Sequence, residues 1–210
     1  MTITQERKQK TVHRILATAA QVFAESGYEG ARMDEIANRA NVNKALIYYH
    51  IGDKMALYSR ILHEIFGGIA NRMAQKISQA ATPTGKIRAY ILSIRQTLKK
   101  HPHLPPIMMH ELASSGRNLP DIVADDLVAI IGLISSAVTE GRQQGEFQDV
   151  DPFILHLMVI GGMSYFKTSG GLRQRYAALV NGRTAKVTDK DDAQLLNEIE
   201  KIILGALKGY

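Results

Sequence analysis

The chemistry-bearing residues of this chain concentrate in one short stretch, Asn43-Lys44-Ala45-Leu46-Ile47-Tyr48-Tyr49-His50-Ile51. At helical spacing Ile47 and Ile51, with Val42 just before them, turn inward. Asn43, Lys44, Leu46, Tyr48, Tyr49 and His50 are then left outside. Tyrosine hydroxyls and lysine ammoniums suit phosphate oxygens, while an amide suits base edges and an apolar tip suits thymine methyls. The competing reading makes Tyr48 and Tyr49 half-buried core aromatics. A second constellation is His101-x-His103 followed by His110-Glu111. Its spacing fits no strong zinc pattern, and Pro102, Pro105 and Pro106 mark a connector. A solvated histidine-bearing loop is its plainer reading, and no metal site is expected. No Gly-rich phosphate cradle, G-x-S-x-G elbow or HExxH occurs, so the chain is not expected to be an enzyme.

The elements that must position the first constellation are two short helices joined by a tight break, Met33–Ala40 and Asn43–Ile51. Asn41 at the break tolerates positive φ better than most residues. Ile36, Ala37 and Ala40 brace the second helix, as a helix-turn-helix requires if that helix is to project into a major groove. Ahead of them Val12, Ile15, Leu16, Ala19 and Phe23 form the stripe of a helix that stops at Ser26-Gly27-Tyr28, with Gly27 available for a left-handed cap. Behind them Asp53 caps a long helix from Lys54 to about Gln79.

Helical periodicity continues to the end of the chain, and no clear strand signal interrupts it. Thr82-Pro83 opens a helix to about Lys99, and Pro105-Pro106 a shorter one to Ala113. Pro120 opens one to about Gln144, and Asp151-Pro152 one to about Thr168 that Gly170-Gly171 closes. Asp189–Asp192 lead into a last amphipathic helix. The expected fold class is all-α with about nine helices, divided into residues 1–53 and 54–210.

The 210 residues contain no cysteine, which excludes disulfides, thiolate metal sites and a cysteine nucleophile. Met1–Arg14 is polar and basic, so no secretory signal is expected there. The longest apolar stretches, Leu127–Val138 and Phe153–Met163, fall short of the roughly 20 residues a membrane helix needs. A cytoplasmic protein with no membrane partner is the expectation. Net charge is +6, of which residues 1–14 supply +3 through Arg7, Lys8, Lys10 and Arg14 against Glu6. That balance permits nucleic-acid binding without demanding it.

The stretch Ile15–Leu57 resembles the DNA-binding domain of the TetR (tetracycline repressor) family of bacterial regulators. The resemblance rests on Ala19-Ala20, Phe23, Gly27-Tyr28, Ile36-Ala37, Ala40, Val42-Asn43-Lys44, Ile47-Tyr48-Tyr49-His50-Ile51, Lys54 and Leu57. It implies that Tyr48 and Lys54 touch the DNA backbone and that Asn43, Lys44, Leu46 and Tyr49 face the groove. His50 is a further backbone candidate. Arg32 stands where a Ser or Thr often caps the second helix, which forgoes a cap of about 1 kcal/mol but offers a charge-assisted phosphate contact. Asn41 replaces the turn's usual glycine, and Ile51-Gly52 replace a commoner phenylalanine and polar residue.

The resemblance further implies that residues beyond about 55 bind a small ligand and dimerise. Helices 151–168 and 192–207 are apolar over wide faces, and Gly161-Gly162 and Ser164 permit close approach, so a four-helix homodimer interface is expected there, the competing reading being that these faces pack within one chain. The implied function is a dimeric repressor on a palindromic double-stranded DNA operator, released by a small apolar or amphipathic effector, with no cofactor. Candidate ligand-binding residues are Tyr90, Met108, Met109, Glu111, Met158, Met163 and Phe166, with Tyr165, Arg95 and His110 in reach. The competing reading of the methionines is plain core. A constitutive DNA-binding dimer with a fully packed interior stays open as an alternative.

Overall fold

Hydrophobic periodicity of about 3.6 residues runs through nearly the whole chain, and the fold is helical accordingly. A computed structural model describes residues 3–179 and 192–209. Ten helices occur among the described residues: α1 (Ile3–Gly30), α2 (Met33–Arg39), α3 (Lys44–His50), α4 (Lys54–Gln79) and α5 (Pro83–Lys100) are followed by α6 (Leu104–Ala113), α7 (Asp121–Gln143), α8 (Pro152–Thr168), α9 (Gly170–Leu179) and α10 (Asp192–Lys208).

The helix starts follow the capping chemistry of the sequence. Asp53 Oδ1 accepts from Ala56 N at 2.8 Å, and Thr82 Oγ1 from Gly85 N at 3.0 Å. Asp151 Oδ1 accepts from Phe153 N at 2.7 Å and from Ile154 N at 3.1 Å, with Pro152 in the first turn. Each cap satisfies amide donors that the first helical turn leaves open.

Three features depart from the sequence expectations. Gly27 breaks the helical dihedrals of α1 at φ 66°, ψ 178°, and one further turn follows to Gly30, so the glycine is a kink rather than a left-handed cap. Gly170-Gly171 do not close a helix; they open α9. Glycine costs about 1 kcal/mol in a helix, but Arg173 overrides it locally. Its guanidinium lies 3.6 Å from the Phe166 ring and donates to the Phe166 carbonyl at 2.6 Å. Finally, α7 extends beyond Leu127–Val138 on both sides and is, by length and composition, apolar enough to cross a membrane. Its Ile130, Ile134, Ala137 and Val138 are nonetheless buried against protein, and aspartates occupy its first turns. The Asp189 lead-in to the last helix lies outside the described residues.

The chain divides into two packing units. Unit 1 takes Met1–Gly67 with His101–Asp126, and unit 2 takes Gly68–Lys100 with Leu127–Tyr210. In unit 1, α1 packs on α2, α3 and α6. Ile15, Ala19, Phe23, Ile36, Ile47 and Leu57 form the buried centre, each large side chain contributing about 1.5–3 kcal/mol of apolar burial. In unit 2, α5, α8 and α10 contact one another. Tyr90, Ile91, Val159, Met163, Ile203 and Leu207 fill the space between them.

Candidate nucleic-acid interface

The turn between α2 and α3 is built as the sequence requires. Asn41 adopts φ 50°, Val42 N donates to the Ala37 carbonyl at 3.0 Å, and Asn43 caps α3 by accepting from Ala45 N at 2.9 Å. Ile47 is fully buried, which fixes the roll of α3 about its axis. That roll leaves Tyr48 47% and Tyr49 77% exposed, so neither is a core aromatic. Leu46 and His50 are half-buried at the margins of the same helix. The Tyr49 ring meets His50 edge-on at 4.9 Å, and His50 Nδ1 is buried without a partner among the described residues.

The charged residues around this helix are partly committed to protein. Lys44 pairs with Asp34 at 2.9 Å, which raises the lysine pKa mainly through that hydrogen bond. Arg39 bridges Glu25 at 2.8 Å and Glu35 at 2.9 Å. Lys54 sits 4.4 Å over the Tyr28 ring and donates to the carbonyls of Ala31 at 3.2 Å and Glu29 at 3.4 Å. It therefore staples the segment after the Gly27 kink to the start of α4, a structural task the sequence did not reveal. Arg32 is exposed at the N-cap position of α2 and makes no capping bond. Among the described residues its guanidinium is the uncommitted cation of the group.

Unit 1 buttresses these helices from below. The Tyr58 ring contacts Phe23 at 4.8 Å and Tyr28 at 5.1 Å. Its hydroxyl donates to Glu111 Oε1 at 2.7 Å, and burial drives the phenol pKa upward. Glu111 is only 3% exposed, and its Oε2 has no partner among the described residues. A Cβ on Gly27 would come within 3.1 Å of the His110 ring. His110 and Glu111 thus join α6 to α1 and α4. No group of three metal-ligating side chains occurs among the described residues.

The remaining sequence candidates divide between the units. Met108, Met109 and Glu111 belong to unit 1, while Tyr90, Met158, Met163 and Phe166 belong to unit 2. Tyr90 is fully buried and its hydroxyl lies 2.9 Å from His156 Nδ1. Met163 and Arg95 line a slot of about 10 Å³ with Leu98, Leu195 and Leu196. The Arg95 Nε is buried and has no hydrogen-bond partner among the described residues. Met158 is 52% exposed and Tyr165 59%, on an outer face of α8 shared with Phe153, Ile154 and Leu157.

Comparison with known proteins places this arrangement. The family model for bacterial regulatory proteins of the tetR family matches residues 15–61, and that for the C-terminal region of YsiA-like proteins matches residues 62–176. The HTH-type transcriptional repressor NicS of Pseudomonas putida is 26% identical over 169 residues, covering 78% of each chain. The HTH-type transcriptional regulator RutR of Escherichia coli K12 is 25% identical over 152 residues, 72% of this chain and 71% of that one. Among solved structures, FadR of Bacillus subtilis in complex with stearoyl-CoA superposes with a TM-score of 0.70 at 22% identity, covering 93% of this chain and 98% of that one. The fatty acid degradation regulator FadR of Bacillus halodurans gives a TM-score of 0.72 at 21% identity, with coverages of 94% and 96%.

Proposed function

The chain belongs to the TetR family of bacterial regulatory proteins and is a transcriptional regulator, not an enzyme; from that premise we propose that it is a cytoplasmic, dimeric repressor whose two α3 helices enter successive major grooves of a palindromic operator. One observation carries this reading: Ile47 anchors α3 in the core while Tyr48 and Tyr49 stand out to solvent. A surface helix with no partner has no use for two neighbouring exposed tyrosines. Major-groove docking does, because phenol hydroxyls reach phosphates and ring faces reach thymine methyls.

Tyr48 and Arg32 supply backbone contacts in this scheme, and Lys54 offers the N–H its two carbonyl bonds leave over. Asn43, Lys44, Leu46 and Tyr49 face bases, with Lys44 exchanging Asp34 for DNA on binding. His50 borders the backbone. The functional division falls near Asp53, residues 1–53 reading DNA and residues 54–210 sensing and dimerising. The exposed apolar face of α8, with Ile202 on α10, is assigned to a second copy of the chain, and Met158 belongs to that face rather than to a ligand site. Tyr90, Met163 and Phe166 remain the proposed ligand contacts of unit 2, and Met108, Met109 and Glu111 those of unit 1. The stearoyl-CoA held by the Bacillus subtilis regulator supports an amphipathic effector. Such a ligand relieves repression only if it prefers the arrangement in which the recognition helices are wrongly spaced. α4 is the proposed lever, since it starts at Lys54 and contributes residues to both units.

Selection of bound duplexes from random DNA tests the reading. The expected product is a palindrome with half-sites about one helical turn, or a multiple of it, apart. Enrichment should fall when a panel of amphipathic molecules is added. Failure to enrich any palindrome would remove the proposal, and enrichment that no ligand alters would leave a constitutive DNA-binding dimer.

A further inference from the structure

A cleft in unit 2 between α4 and α5 holds charge that the proposed DNA contacts do not use. It encloses about 210 Å³, and its lining includes Arg72, Lys76, Lys100, Gln96 and Thr97 and no carboxylate. Three other cations of this unit are paired: Lys86 with Glu140, Arg88 with Glu200, Arg142 with Asp149. Arg72 and Lys100 have no ion pair or side-chain hydrogen bond among the described residues. Lys76 donates to Gln96 Oε1, which leaves the Gln96 amide nitrogen as a donor. Thr97 is 4% exposed and its side chain lines the cleft. Lys76 and Lys100 lie in the last turns of their helices, where the helix dipole favours cations whatever the surroundings. That accounts for neither Arg72, about one turn before Lys76, nor the missing carboxylate.

We propose that this cleft binds a phosphate-bearing small molecule, gripping its anionic part. Three positive charges around one concavity match a group of charge −2 or more, and a guanidinium can hold two phosphate oxygens at once. Whole-ligand pockets run to about 300–1,000 Å³, so a cleft this size takes a phosphoryl or diphosphoryl group and leaves the rest of the molecule outside it. The proposal rests on the reading of residues 54–210 as the sensing region, and it names the chemical class sensed.

The test is calorimetric titration of the full-length chain with inorganic pyrophosphate at fixed ionic strength, with sodium acetate as a second titrant. Saturable pyrophosphate binding is expected, with acetate at least ten-fold weaker. Arg72→Gln combined with Lys100→Gln should weaken pyrophosphate at least ten-fold, and Thr97→Val several-fold. Arg175→Gln, which removes an exposed charge on α9, should bind as the parent does. Equal heats for the two anions, or a double variant indistinguishable from Arg175→Gln, would overturn the proposal. Duplex selection on the same samples separates the two readings. Palindrome enrichment without pyrophosphate binding sinks the anion site alone, whereas pyrophosphate binding lost in the double variant without enrichment upholds the site and sinks the repressor.

Discussion

Tyr48 and Tyr49 are neighbours in sequence, yet a helical step of 100° sends their hydroxyls to different places. Tyr48 lies nearer the body, where the resemblance assigns a phosphate contact. Tyr49 projects furthest and is the stronger candidate for a base-edge or methyl contact. Tyr48→Phe removes one hydroxyl and is expected to weaken binding by about 1 kcal/mol, equally on operator and scrambled duplexes. Tyr49→Ala should instead narrow the gap between those two duplexes. Fluorescence anisotropy with both duplexes reads the difference. A loss of discrimination in Tyr48→Phe, or a uniform loss in Tyr49→Ala, would reverse the assignment. Which side chains of α3 face solvent was legible at this scale, because exposure follows from the period of the apolar positions. What each charge touches in the free protein was not. Lys44 on Asp34 and Lys54 over Tyr28 join residues 10 and 26 apart, and no local pattern announces such pairs.

The helix starts were readable because caps are local chemistry: Asp53, Thr82 and Asp151 each bond an amide two or three residues on. Helix ends were less so. Gly27 and Gly170 look alike as glycines, but one kinks α1 and the other opens α9. The difference lies in contacts: His110 packs where a Cβ on Gly27 would stand, while nothing lies within 4 Å of one on Gly170. Gly27→Ala should therefore destabilise the protein by about 1–3 kcal/mol, through strain at positive φ and the crowded ring. His110→Ala in the same background should recover only the part due to crowding. Urea denaturation midpoints of the single and double variants measure both. Gly170→Ala is expected to be neutral or stabilising, since it adds helix propensity at an open position.

For the whole molecule, two expectations concern assembly and pH. Replacing Met158 and Tyr165 together by Glu places charges on the exposed face of α8. Sedimentation equilibrium should then find single chains where the parent forms dimers, with helical content unchanged. A parent that is itself monomeric would remove the dimer reading. Burial holds the His156 pKa below the ordinary imidazole value of 6.5, so the folded state binds fewer protons than the unfolded one. Stability then rises with pH between the folded value and 6.5, is complete above 6.5, and is lost as pH falls through that window. The thermal midpoint should drop on going from about pH 7 to about pH 5. His156→Gln, which cannot titrate, should lose that part of the dependence. An unchanged pH profile in the variant would show that His156 charges freely in place.

The sequence by itself determined the helical class, the placement of the capped helix starts at Asp53, Thr82 and Asp151, and the identity of the projecting helix. Apolar period, capping side chains and a positive-φ turn all act within a few residues, so a linear reading contains them. Only the tertiary structure decided how the packing units divide, with α6 grouped beside α1 across some 75 intervening residues. It alone brought Tyr58 to Glu111, Tyr90 to His156, and Arg72 and Lys100 to one cleft. Those encounters depend on the paths of separate helices through space, and side-chain spacing along the chain carries no record of them.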